Sequence, residues 1–168
     1  QIWLDEVLYE EGQRPAMDPQ RSLTRIGIGA DTESRSDAPA MRSLSGGLRF
    51  DFAQASAVDG ADVNSGADKQ ILKKKAYLLA MHQQLNDGRT LSENCVTLLA
   101  ASIGSLNNVI EQGSTAGTDA GQEAINGLLS HVKKEAPSAM KDIDDTLDMS
   151  PSVRKELESL IHSYYSSS

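Results

Sequence analysis

Beyond residue 66 the apolar side chains recur at intervals of three and four, the period of helices with one buried side. Asp68 stands where a cap is needed, Ile71, Leu72, Leu78, Leu79 and Leu85 follow it, and Asn86, Asp87 and Gly88 supply a stop. Thr90 to Glu93 has the form of a capping box, in which the threonine oxygen accepts an amide proton three residues on and the glutamate reaches back. The helix that starts there carries Val96, Leu99, Ile103, Leu106 and Ile110, a narrow seam expected of one helix lying along another, and Gly113 fits its end.

A third helix is predicted from Thr118 or Asp119 as cap and from Ala124, Ile125, Leu128, Leu129 and Val132, ending before Pro137. Lys133 and Lys134 suit its negative C-terminal end. A short helix over 138–147 would turn Met140, Ile143 and Leu147 to one side. Ser150 as cap and Pro151 at the first helical position then open a last helix bearing Val153, Leu157, Leu160, Ile161 and Tyr164. The expected fold is mainly α, a four- or five-helix bundle over about 66–165.

The pattern changes upstream. In residues 1–12, Ile2, Trp3, Leu4, Val7 and Leu8 gather ahead of Glu10, Glu11 and Gly12, and Trp3 and Val7 with Leu4 or Leu8 fall at helical spacing. This predicts a short amphipathic docking helix anchored by the only tryptophan, since so short a helix is marginal in water until its apolar side enters a groove. Residues 13–65, rich in Ser, Gly, Ala, Pro and Asp, read as a long extended arm. Two strand-like stretches interrupt it. One, over 23–28, has Ile26 and Ile28 about Gly27. In the other, over 48–52, Leu48, Phe50 and Phe52 alternate with Arg49 and Asp51. Such an arm is ordered only when laid on its own bundle or on a neighbour, because fixing backbone costs about 1 to 2 kcal/mol per residue. Trp3, Leu4, Val7, Leu8, Leu48, Phe50 and Phe52 are therefore the expected interaction residues.

Composition narrows the function. With 168 residues, 39% of them hydrophobic and only 4% aromatic, one core with appended segments is expected. The net charge of −8 argues against a nucleic-acid partner, and Lys73, Lys74 and Lys75 fan around a helix and form no stripe. No apolar run approaches the roughly 20 residues of a membrane span, so no membrane contact is expected. All eight lysines lie from Lys69 onward and six of the eight arginines at or before Arg49, which marks a boundary near residue 65. The chain opens on Gln1, so a processed leader or a longer parent is expected.

Candidate chemistry is sparse. A lone Cys95 beside Val96 reads as a small core residue, and His82, His131 and His162 sit on separate predicted helices without metal-ligand spacing. Asp142, Asp144, Asp145 and Asp148 lack the glycine and final acid of a calcium loop, as does the stretch over 59–64. Gly27 and Gly29 have no third glycine in register for a nucleotide fingerprint. No cofactor, metal or catalytic constellation is expected. The resulting reading is a non-enzymatic structural or interaction subunit of a multi-copy assembly, a virion-like particle first, with protein partners in the form of a homo-oligomer or neighbouring subunits. The alternative is a secreted or translocated effector whose bundle binds a host protein, and a weaker third class is an enzyme acting through Cys95.

Overall fold

A computed structural model describes residues 1–22, 39–58, 65–83 and 88–166, and among these it is helical, with eight helices and no strand beyond one isolated bridge. The first helix, α1 (Glu6–Glu10), is a single turn and a half. The second, α2 (Pro39–Val58), occupies the region expected to be an extended arm. Its Ala40, Leu44, Leu48, Phe52 and Ala55 recur every three or four residues and are all buried, while Phe50 is 63% exposed. The alternation over 48–52 is thus a fragment of a longer helical period, and Leu48 and Phe52 share a face from which Phe50 is excluded. The other strand-like stretch, over 23–28, lies outside the described residues.

Helix α3 (Ser65–Met81) begins ahead of Asp68 and packs along α2. Two polar contacts join them at one carboxylate: Tyr77 donates its hydroxyl to Asp51 Oδ2 at 3.0 Å, and Lys73 Nζ lies 2.7 Å from the same oxygen. Burial, reinforced by Asp51, pushes the Tyr77 phenol up to about 12, so it stays a donor. From Ala76 to Ala80 every residue of α3 is buried, as expected of a helix covered on all sides.

Helix α4 (Leu91–Ser102) is the other central element. The expected capping box is present, with Thr90 accepting from the Glu93 amide and Glu93 accepting from the Thr90 amide at 2.7 Å. The seam does not continue as one helix. Gly104 adopts φ +80°, a conformation that costs residues with a Cβ, and redirects the chain into α5 (Asn107–Glu111). Leu106 and Ile110 remain buried across this break, whereas Ile103 is only partly covered.

Helix α6 (Asp119–Glu135) starts at Thr118, whose hydroxyl oxygen accepts from the Gly121 amide at 3.2 Å. Gly121 must be small: an added Cβ would strike the Thr115 carbonyl. Helix α7 (Pro137–Thr146) buries Met140 and Ile143, but Leu147 takes the left-handed position after it, at φ 59°, and points to solvent. The last helix, α8 (Pro151–Ser166), opens with Val153 N–H donating to Ser150 Oγ and buries Leu157 and Ile161.

The N-terminus of α4 collects contacts from two later helices. Ser92 donates its amide and its hydroxyl to the two oxygens of Asp144, both at 2.8 Å, and Lys133 pairs with Glu93. Burial opposes ionisation of Glu93, yet the Lys133 and Thr90 hydrogen bonds and the charges of Lys133 and Arg89 prevail and hold its carboxyl below the usual range. Asp144 therefore serves as a second cap. Among the described residues no helix is long and apolar enough to cross a membrane.

Candidate interaction site

Residues 1–22 fold back on themselves before they reach the bundle. Asp5 caps α1 by accepting from the Leu8 amide, and Gly12, at φ +86°, turns the chain around. The returning segment then runs antiparallel to the first residues: the Asp5 amide donates to Ala16 O at 2.8 Å, the Asp18 amide donates to Trp3 O at 3.0 Å, and Leu4 faces Met17 between them. The docking helix expected over 1–12 is thus shorter, because Trp3 and Leu4 are committed to this bridge and lie ahead of the helical turn.

The folded-back unit is fastened to the end of α3. The Arg14 amide donates to His82 Nδ1 at 3.1 Å, and the Gln83 amide donates to Arg14 O at 2.8 Å. His82 is buried, and burial together with the charges of Arg89 and Arg14 lowers its pKa, which keeps Nδ1 an acceptor. On the opposite side Gly12 meets Gly117, where an added Cβ on Gly117 would lie 2.5 Å from the Glu11 carbonyl. Two backbones touch there without side chains between them. Gln13 and Ala16 are buried beneath the unit, and the Gln13 amide has no hydrogen-bond partner among the described residues.

Between this unit and α2 and α3 runs a cleft of about 490 Å³, with Val7, Leu8, Phe52, Ile71 and Leu78 as its apolar lining and Lys74 and Lys75 facing Asp5, Glu11 and Asp18. A second space of about 260 Å³ adjoins it through Glu11, Lys75 and Leu78 and reaches Gln13.

The expected interaction residues divide. Trp3, Leu4 and Val7 stand together on the N-terminal unit with exposures of 49%, 71% and 61%, joined by Ile2 and Tyr9. Leu8 turns inward against the core. Leu48 and Phe52 belong to the core itself, Phe52 tilted against the Tyr77 ring at 6.2 Å, and Phe50 stands apart on the outer side of α2. The residues that hold the unit in place, Gln13, Arg14 and His82, carried no local signal beyond the turn at Gly12. Their meeting depends on contacts 68 positions apart.

The nucleophile candidate is inert in this setting. Cys95 is fully buried in α4, and burial, aided by Asp144, pushes its thiol up to about 11. His131 stacks on Tyr164 at 5.1 Å, and His162 is exposed on α8. Among the described residues no group of three or more His, Cys, Asp or Glu side chains could hold a metal ion.

No protein-family model matches the chain. It is similar, however, to curated proteins of one kind. Over 98% of its length it is 26% identical to ATP synthase subunit alpha of Haemophilus ducreyi, and over its whole length 27% identical to ATP synthase subunit alpha of Acidithiobacillus ferridurans. A 114-residue stretch, 65% of the chain, is 32% identical to ATP synthase subunit alpha of Hydrogenovibrio crunogenus. The chain spans about 30% of the length of the first two relatives and 21% of the third. These relatives are ATP synthase subunits, which overturns both the virion-like particle and the effector expected from the sequence. Acidic amphipathic helices beside an exposed apolar segment are compatible with many assemblies, so composition alone could not identify the assembly.

Proposed function

We propose that this chain is the helical part of an alpha-type ATP synthase subunit and contributes contacts with neighbouring protein in that assembly. The observation that carries the reading is coverage: ATP synthase alpha subunits from several bacteria align with 98 to 100% of the chain, across α1 to α8. The exposed apolar group of Ile2, Trp3, Leu4 and Val7 supports it, since side chains of this kind grouped on a surface mark a protein contact. In this reading the contact residues are Trp3, Leu4 and Val7 on the N-terminal unit, with Phe50 as a separate point on α2, and Leu48 and Phe52 hold α2 in place behind them. The described residues are assigned contact and not chemistry, in keeping with the burial of Cys95.

The test is to tag the full gene product in its own cells, isolate it under native conditions and identify its companions by mass spectrometry. Co-purification with the other ATP synthase subunits in fixed stoichiometry is the expected result. Recovery as a free protein, or in a complex that contains none of them, would remove the reading.

A further inference from the structure

We infer that residues 1–5 present an open strand edge that pairs with an extended, apolar segment of a partner protein carrying basic residues at its ends. Trp3 spends both of its backbone groups inward, its amide donating to Ser22 Oγ at 3.1 Å and its carbonyl accepting from Asp18. Asp5 is in extended conformation and donates inward to Ala16. In a strand the groups of alternate residues point in opposite directions, so the amide and carbonyl of Leu4 point away from the 16–18 segment. Neither has a partner among the described residues.

The side chains beside this edge match a strand partner. Ile2 is 76% and Leu4 71% exposed, and residues 1–4 contain no charge. An open edge is ordinarily guarded by a lysine, a proline or an inward-pointing charge, and this one has none of them. Pairing there would use main-chain hydrogen bonds for affinity and alternate side chains for specificity.

Charge selects the occupant. Asp5, Glu6, Glu10 and Glu11 border the edge, whereas the nearby cations Arg14 and Arg21 lie over the Tyr9 and Trp3 rings, 3.9 and 6.0 Å from the centroids. Residues 1–22 carry two cations and five acids, a net of 2 − 5 = −3. A second copy of this edge would bring like charges together, and a basic segment would not. This inference does not rest on membership of an ATP synthase.

The probe is a synthetic peptide of about eight residues, alternating valine and threonine with a lysine at each end, titrated into the isotope-labelled full chain. Amide exchange at Leu4 should slow and the resonances of Ile2 and Leu4 should shift. N-methylating alternate peptide amides, replacing the peptide lysines with glutamates, or the substitution Leu4→Pro should each weaken binding about tenfold or more. Unchanged Trp3 fluorescence in Leu4→Pro would show that the inward bonds survive. No binding at about 1 mM, binding indifferent to N-methylation, or protection of Leu4 by self-association alone would each overturn the proposal.

Discussion

Truncation of Phe52 to alanine tests the helical reading of 39–58 most directly, with Phe50→Ala as its pair. Phe52 is 2% exposed and packs against Tyr77, while Phe50, two positions away, is 63% exposed. Buried Phe→Ala changes cost about 3 to 5 kcal/mol, the sum of lost transfer energy and the cavity left behind. Phe52 also borders the cleft of about 490 Å³, so water can reach part of the vacated space and the loss should fall near 3 kcal/mol. Phe50→Ala should cost under about 0.5 kcal/mol, as surface changes do. With a urea slope of about 2 kcal/mol per molar, the Phe52 variant should unfold about 1.5 M earlier and the Phe50 variant within about 0.25 M of the parent. The assay is urea unfolding followed by circular dichroism at the helix band. Equal losses at the two positions would indicate a strand with both rings on one face and refute the helix.

Three further outcomes follow from the fastening of the N-terminal unit. His82 has a lowered pKa in the folded chain, so its contribution is complete above the unfolded value of about 6.5 and declines as pH falls from there toward the folded value, where the unfolded chain binds the proton first. Urea midpoints should therefore drop between pH 7.5 and pH 5.5 by more in the parent than in His82→Gln, and equal drops would exclude His82 as the source. Gln13→Leu removes a buried amide without partners at similar volume and should stabilise by about 1 kcal/mol, read as a higher thermal midpoint; a loss would mean that the amide is satisfied in solution. Gly117→Ala should displace residues 1–22 while leaving the helical core folded, seen as faster proteolysis near the N-terminus with an unchanged helical signal; unaltered cleavage would contradict the close approach of Gly12 and Gly117.

The sequence by itself determined those features that are set within a turn or two of chain. The Thr90–Glu93 capping box, the Thr118 cap, the Ser150–Pro151 start and the inward sides of α6 and α8 follow from spacings of three or four residues and from hydrogen bonds equally local. Tertiary structure decided the remainder. Leu48 and Phe52 read as strand over five residues but lie on one side of a helix with Ala40, Leu44 and Ala55, a choice made by the surface that α3 and α4 offer. Gly104 breaks a seam whose spacing is unbroken, because its left-handed conformation lets Leu106 and Ile110 reach the core from a new direction. Asp144 resembled a solvated acid until Ser92 was brought to it across 52 positions, and Arg14 meets His82 across 68. Contacts at such separations leave no periodic trace in the residues that make them, so the candidate surface was legible as apolar composition at Trp3, Leu4 and Val7, while its orientation was fixed only by packing against α3.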